Sequence, residues 1–143
     1  KMALEMGADF VIDPAVQDAK AVIFEQTGGQ GADAVIVDVG VTSALEQSLD
    51  YVKKGGRVVI FAGMPVGSKI TIDPNTIHYK EIILTGSSSS SAINQAEVFR
   101  LLSSGKVSTE GMISGCFPLE EWRTAFEMKA NYVGVKTIMD PWA

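Results

Sequence analysis

The chain has 143 residues, 46% of them hydrophobic and 20% charged. Those fractions suit one globular fold and exclude a disordered tail or a coiled coil. Twelve basic against seventeen acidic side chains give a net charge of −5, so no basic excess points to nucleic acid or to an anionic membrane. A single cysteine, Cys116, and a single histidine, His78, exclude a disulfide framework and a self-contained structural zinc site, which takes four ligands.

The N-terminus carries no apolar stretch of signal-peptide length. The longest apolar run, Val58 to Ala62, is far short of the roughly 20 residues that cross a bilayer. The expectation is a soluble, cytoplasmic protein. The chain opens on Lys1 rather than methionine, which reads as a processed, truncated or engineered start.

Residues 1–6 favour helix, and Gly7 can end it. Asp9 to Ile12 reads as a short strand stopped by the turn signal Asp13-Pro14. Over 15–27, Val16, Ala19, Val22, Ile23 and Phe24 share one face of a helix. Gly28-Gly29-Gln30-Gly31 breaks it. Ala34-Val35-Ile36-Val37 is a branched run expected to be a strand buried on both faces. Thr42 or Ser43 can cap the next helix, whose face is Leu45, Leu49 and Val52. Lys53-Lys54-Gly55-Gly56 closes it with cations, then glycine.

Val58 to Ala62 is a second strand of the same buried type. Lys69 to Ile72 reads as a short edge strand, and Asp73-Pro74 opens a short helix with Asp at N-cap and Pro at N1. Ile82-Ile83-Leu84 is a third buried strand, followed by Gly86 and the run Ser87–Ser91. A helix from about Ala92 to Ser104 turns Ile93, Ala96, Phe99 (or Val98) and Leu102 inward. Then come a strand at Met112 to Phe117, a helix at Leu119 to Lys129 and a last strand at Val135 to Met139.

Strands and helices that alternate in this way predict an α/β fold with a mostly parallel, doubly wound sheet and right-handed crossovers. Ligands of such sheets sit outside the carboxyl ends of the strands. Three loops start where an apolar run stops, and each holds a glycine: Asp38-Val39-Gly40-Val41, Ala62-Gly63-Met64-Pro65 and Thr85-Gly86-Ser87-Ser88. Glycine lets backbone approach a ligand closely.

Gly29-Gln30-Gly31-Ala32-Asp33-Ala34 matches the loose dinucleotide fingerprint G-x-G-x-x-A. The mechanism needs glycines that follow a strand and open a helix. Here they follow a helix and precede a strand, so a helix end and turn is the better reading. Among single residues, His78 has no obvious carboxylate partner and reads as structural or as a subunit contact. Cys116 reads as a small core residue, and Trp122 with Phe126 as a packing face.

Four stretches occur together in order. They are Ala3-Leu4-Glu5-Met6-Gly7-Ala8-Asp9-Phe10-Val11-Ile12-Asp13; Thr27-Gly28-Gly29-Gln30-Gly31-Ala32-Asp33; Gly55-Gly56-Arg57-Val58-Val59 leading to Gly63; and Phe117-Pro118-Leu119-Glu120-Glu121 with Ala125-Phe126. Over nearly the whole chain this resembles the medium-chain dehydrogenase/reductase family, and within it the zinc-type alcohol and polyol dehydrogenases (sorbitol, threonine and similar). Ile77-His78-Tyr79-Lys80-Glu81, ahead of the strand that ends at Gly86-Ser87, resembles the polyol branch.

The resemblance implies a Rossmann-like domain that is incomplete here, because the first βαβ with its Gly-rich turn is missing. Residues 1–110 would be part of the NAD(P)-binding domain. Residues 111–143 would be the segment that returns to the catalytic domain, which itself holds the zinc and all its ligands. The implied activity is hydride transfer from a secondary alcohol or polyol to NAD or NADP, with this chain inactive alone. By the same resemblance, Asp38, Val39 and Gly40 would face ribose and nicotinamide. Ala62, Gly63 and Met64 would offer backbone groups to the carboxamide. Ser87, Ser88 and Ser89 would add nicotinamide and ribose contacts, although five serines stand where the family often has a bulky or basic residue. A homo-oligomer through a sheet edge is implied as well, using the Lys69-to-Ile72 and Ile82-to-Leu84 stretches. The alternative is a non-catalytic nucleotide-binding or oligomerisation module.

Overall fold

A computed structural model describes residues 1–143. The chain divides into two compact units, Lys1–Ser89 and Ser90–Ala143.

The first unit is built on three parallel strands, β1 (Ala32–Val37), β2 (Val52–Ile60) and β3 (Ile83–Gly86), in the order β1-β2-β3. Their register sets Val37 against Ile60 and Ile60 against Gly86, so all three carboxyl ends fall on one edge. The N-terminal helix α1 (Met2–Glu5) stops before Gly7, whose φ of +103° no other residue type adopts readily. Helix α2 (Ala19–Gln26) leads into β1, α3 (Thr42–Tyr51) links β1 to β2, and α4 (Pro74–Lys80) precedes β3.

The core lies on one face of this sheet. Val37 and Val58 from the strands meet Leu45, Leu49 and Val52 from α3 and its end, with Ile82 beside them. Leu84 of β3 and Ile77 of α4 pack onto the same cluster. Successive crossovers of one hand that advance across a sheet in one direction place their helices on the same side. That corrects the expectation of strands buried on both faces. Ile36 is 65% exposed and Ile83 49% exposed, and both point to the other face.

Several expected elements differ. Asp9–Ile12 is no strand, because the sheet offers it no neighbouring strand to bond with. Lys69–Ile72 is unpaired and serves as a strap: Thr71 N–H donates to Glu46 Oε1 at 2.7 Å, and Ile70 and Ile72 pack on the core. Helix α2 starts at Ala19, not 15, since the Asp18 carboxylate accepts from Ala21 N–H and caps it there. Val16 falls outside the helix and is exposed. The N-cap of α3 is Val41, with no side-chain cap, rather than Thr42 or Ser43. Lys53-Lys54-Gly55-Gly56 lies within β2 rather than at a helix end. There Lys53 pairs with Asp33 and Lys54 with Glu81. Asp73 caps α4 and Pro74 opens it, as the sequence indicates.

The second unit contains α5 (Ala92–Ser103) and a βαβ pair, β4 (Ile113–Pro118) and β5 (Lys136–Asp140), which run parallel. A 3-10 turn (Leu119–Glu121) and α6 (Trp122–Ala130) connect them. Ser91 and Asn94 form a reciprocal capping box on α5. The apolar side of α5 is not turned inward: Ile93, Val98, Phe99 and Leu102 are exposed. Cys116 is exposed rather than in a core. Trp122 and Phe126 do pack edge to face, but on each other, and both remain exposed.

Candidate functional site

The parallel register gathers three loops at one edge, and backbone hydrogen bonds tie their bases together. The Val37 carbonyl, last in β1, accepts from Phe61 N–H and from Ala62 N–H at 3.0 Å each. The Ile60 carbonyl, last in β2, accepts from Ser87 N–H at 3.0 Å. Each strand end therefore holds the start of the loop after the next strand.

The first loop places Asp38, Val39 and Gly40 in exposed positions, folded by a tight bond from Val41 N–H to the Val39 carbonyl. In the second, Ala62 and Met64 are half-buried, Gly63 is exposed, and Met64 packs on the core, which anchors the loop. In the third, Ser87, Ser88 and Ser89 are all exposed, and Ser89 takes a φ of +61°. Thr85 and Gly86 belong to β3, so that loop starts at Ser87, two residues later than its sequence suggests.

The first two loops meet directly. A side-chain carbon on Gly40 would lie 2.7 Å from the Gly63 carbonyl oxygen. The third joins them through β2. Sequence reading missed Phe61: β2 ends at Ile60, which leaves this exposed ring on the loop edge rather than in the strand. Its only signal was the last apolar residue before Ala62-Gly63.

Around Gly63 and Gly86 no atom lies within 4 Å of where a side chain would begin, so the side-chain direction at each is open. Asp38 is the one charged residue in the three loops, and the third supplies serine hydroxyls. The chain does not provide a pyrophosphate turn. Gly28–Gly31 follow α2 and precede β1, and the Thr27 hydroxyl accepts from Gly31 N–H at 2.9 Å while donating to the Ile23 carbonyl at 2.7 Å. Nor do the residues fit a zinc site: no three His, Cys, Asp or Glu side chains converge. His78 stands exposed on α4, edge to face with Tyr79. No helix is long and apolar enough to cross a membrane.

A family model described as zinc-binding dehydrogenase matches residues 1–104. The chain is 31% identical over 142 residues to D-arabitol-phosphate dehydrogenase of Enterococcus avium, covering 98% of this chain and 40% of that protein. It is 28% identical over 141 residues to sorbitol dehydrogenase of Halalkalibacterium halodurans, covering 99% of this chain and 41% of that one. The chain thus spans about two fifths of the length of these curated relatives. A solved structure from Sinorhizobium meliloti 1021, described as a zinc-binding dehydrogenase bound to NADP, superposes with a TM-score of 0.86 at 30% identity. That match covers 98% of this chain and 41% of the other.

Proposed function

Since the chain belongs to the zinc-binding dehydrogenase family, we propose that it supplies the nicotinamide-side wall of the coenzyme site of an NAD(P)-dependent alcohol or polyol dehydrogenase. The observation that carries this reading is the joining of the three loops at one parallel edge, where Val37 and Ile60 hold their bases. The relatives named for arabitol phosphate and sorbitol support a polyol substrate. The NADP in the 30% identical structure supports the cofactor class.

In this reading Asp38, Val39 and Gly40 face ribose and nicotinamide. Ala62, Gly63 and Met64 present backbone groups to the carboxamide. Ser87, Ser88 and Ser89 add hydroxyl contacts. Bound nicotinamide would accept a hydride from the alcohol carbon; this chain's part is to hold and orient the ring. Residues 1–110 would form the coenzyme side, and residues 111–143 would serve the substrate side of a longer enzyme. A homo-oligomer through the free outer edge of β3 belongs to the same reading, because that strand bonds to β2 alone. So does a cytoplasmic setting, which the lone, exposed Cys116 suits.

The test is an amide NMR titration of the 143-residue chain with NAD+, NADP+ and nicotinamide mononucleotide at millimolar concentration. Shifts confined to 38–40, 62–64 and 87–89 are expected. With zinc and a polyol panel, the chain alone should show no steady NAD+ reduction. Shifts absent from these loops, or sustained turnover by the chain alone, would refute the assignment.

A further inference from the structure

Each of the three candidate loops has a glycine at or beside it, and the surrounding backbone treats the three differently. A side-chain carbon on Gly63 or Gly86 would have nothing within 4 Å. On Gly40 it would lie 2.7 Å from the Gly63 carbonyl oxygen. A backbone oxygen cannot swing aside as the end of a side chain can; its planar peptide must move as a unit. The Gly63 peptide is held on both sides, by the bond from Ala62 N–H to Val37 and by Met64 packed on the core. The Gly40 loop is held in turn by the bond from Val41 N–H to Val39. Gly40 is not among the positive-φ glycines, so its own backbone would accept an alanine. The constraint is contact with Gly63 and nothing else.

We propose that Gly40 is a positioning residue. Its bare Cα lets the Gly63 carbonyl seat against the first loop, and this contact sets where the Ala62–Met64 backbone presents itself to the nicotinamide half of the cofactor. The role rests on the functional reading above. Sequence alone treats the glycines alike, as places where backbone approaches a ligand. At Gly40 the approaching group is the protein's own second loop.

The test uses NMR on the labelled 143-residue chain. In the unsubstituted protein, nuclear Overhauser contacts are expected between the Gly40 α-protons and Gly63 or Met64. In Gly40→Ala, the amides of Ala62, Gly63 and Met64 should shift while those of Leu49 and Val58 hold. Gly63→Ala should leave 38–41 in place. Gly40→Ala should also weaken NAD+ binding on the order of tenfold, as expected for a displaced positioning group.

Missing Gly40–Gly63 contacts in the unsubstituted chain overturn the proposal even if Gly40→Ala fails to fold. So does an unmoved 62–64 segment in Gly40→Ala, or an equal response of 38–41 to Gly63→Ala. Failure of the unsubstituted chain to bind either dinucleotide overturns the functional reading and the role of Gly40 with it. Intact binding without the contact overturns the role of Gly40 alone.

Discussion

Lys53 reaches from β2 to Asp33 on β1, beside the irregular register between Ala32 and Ala34. The Lys53 ammonium, by hydrogen bond first and charge second, holds the Asp33 carboxyl below the usual carboxylate range. A carboxylate depressed in the folded state favours folding above its unfolded pKa. That contribution is lost as pH falls through the folded value. Asp33 is exposed, so water and salt screen the pair and its effect is small. Urea midpoints measured from pH 6 downward should therefore fall less steeply in Asp33→Asn than in the unsubstituted chain, and the difference should shrink in 1 M salt. Superimposable acid limbs would show that the pair does nothing for the fold.

Periodicity in the sequence reveals that a face is apolar, not whether anything lies upon it. The face Leu45, Leu49 and Val52 was legible, and all three are buried. The face Ile93, Phe99 and Leu102 of α5 was equally clear, yet it stays exposed. The branched runs revealed β1 to β3, but Asp9–Ile12, apolar from Phe10 onward, has no neighbouring strand. Capping signals are local, and the one at α4 was legible, although α3 starts at Val41 with no side-chain cap and α2 at the unforeseen Asp18. At α4 the Asp73 carboxylate accepts from Asn75 N–H at 2.9 Å. Asp73→Ala should cost about 1 kcal/mol, read as a lower denaturation midpoint with an unchanged urea slope. The shared edge of the candidate loops was legible because βαβ connectivity dictates it. The approach of Gly40 to Gly63 was not, since it joins residues far apart in sequence.

Burial is unevenly spread over the whole molecule. Val37, Leu45, Leu49, Val52, Val58 and Ile82 all lie in Lys1–Ser89. In Ser90–Ala143 only Ala125 is a buried hydrophobic residue. Local opening costs least where few apolar contacts must break. Amides of β1 and β2 should therefore exchange with deuterium more slowly than those of β4, β5 and α6, on the order of tenfold or more. Equal protection in the two units would mean that apolar burial does not set the stability order in this chain.

The turn after α2 carries a wider lesson for reading glycine patterns. Gly28 N–H donates to Glu25, Gly29 N–H to Phe24 and Gln30 N–H to Thr27, while Gly31 N–H goes to the Thr27 hydroxyl. An anion is held by donors that have no other engagement. In this turn every backbone N–H from Gly28 to Gly31 is already committed to the chain itself, so a phosphate arriving there would find no free backbone donor. The spacing of a nucleotide fingerprint is present, and its chemistry has been spent on ending a helix.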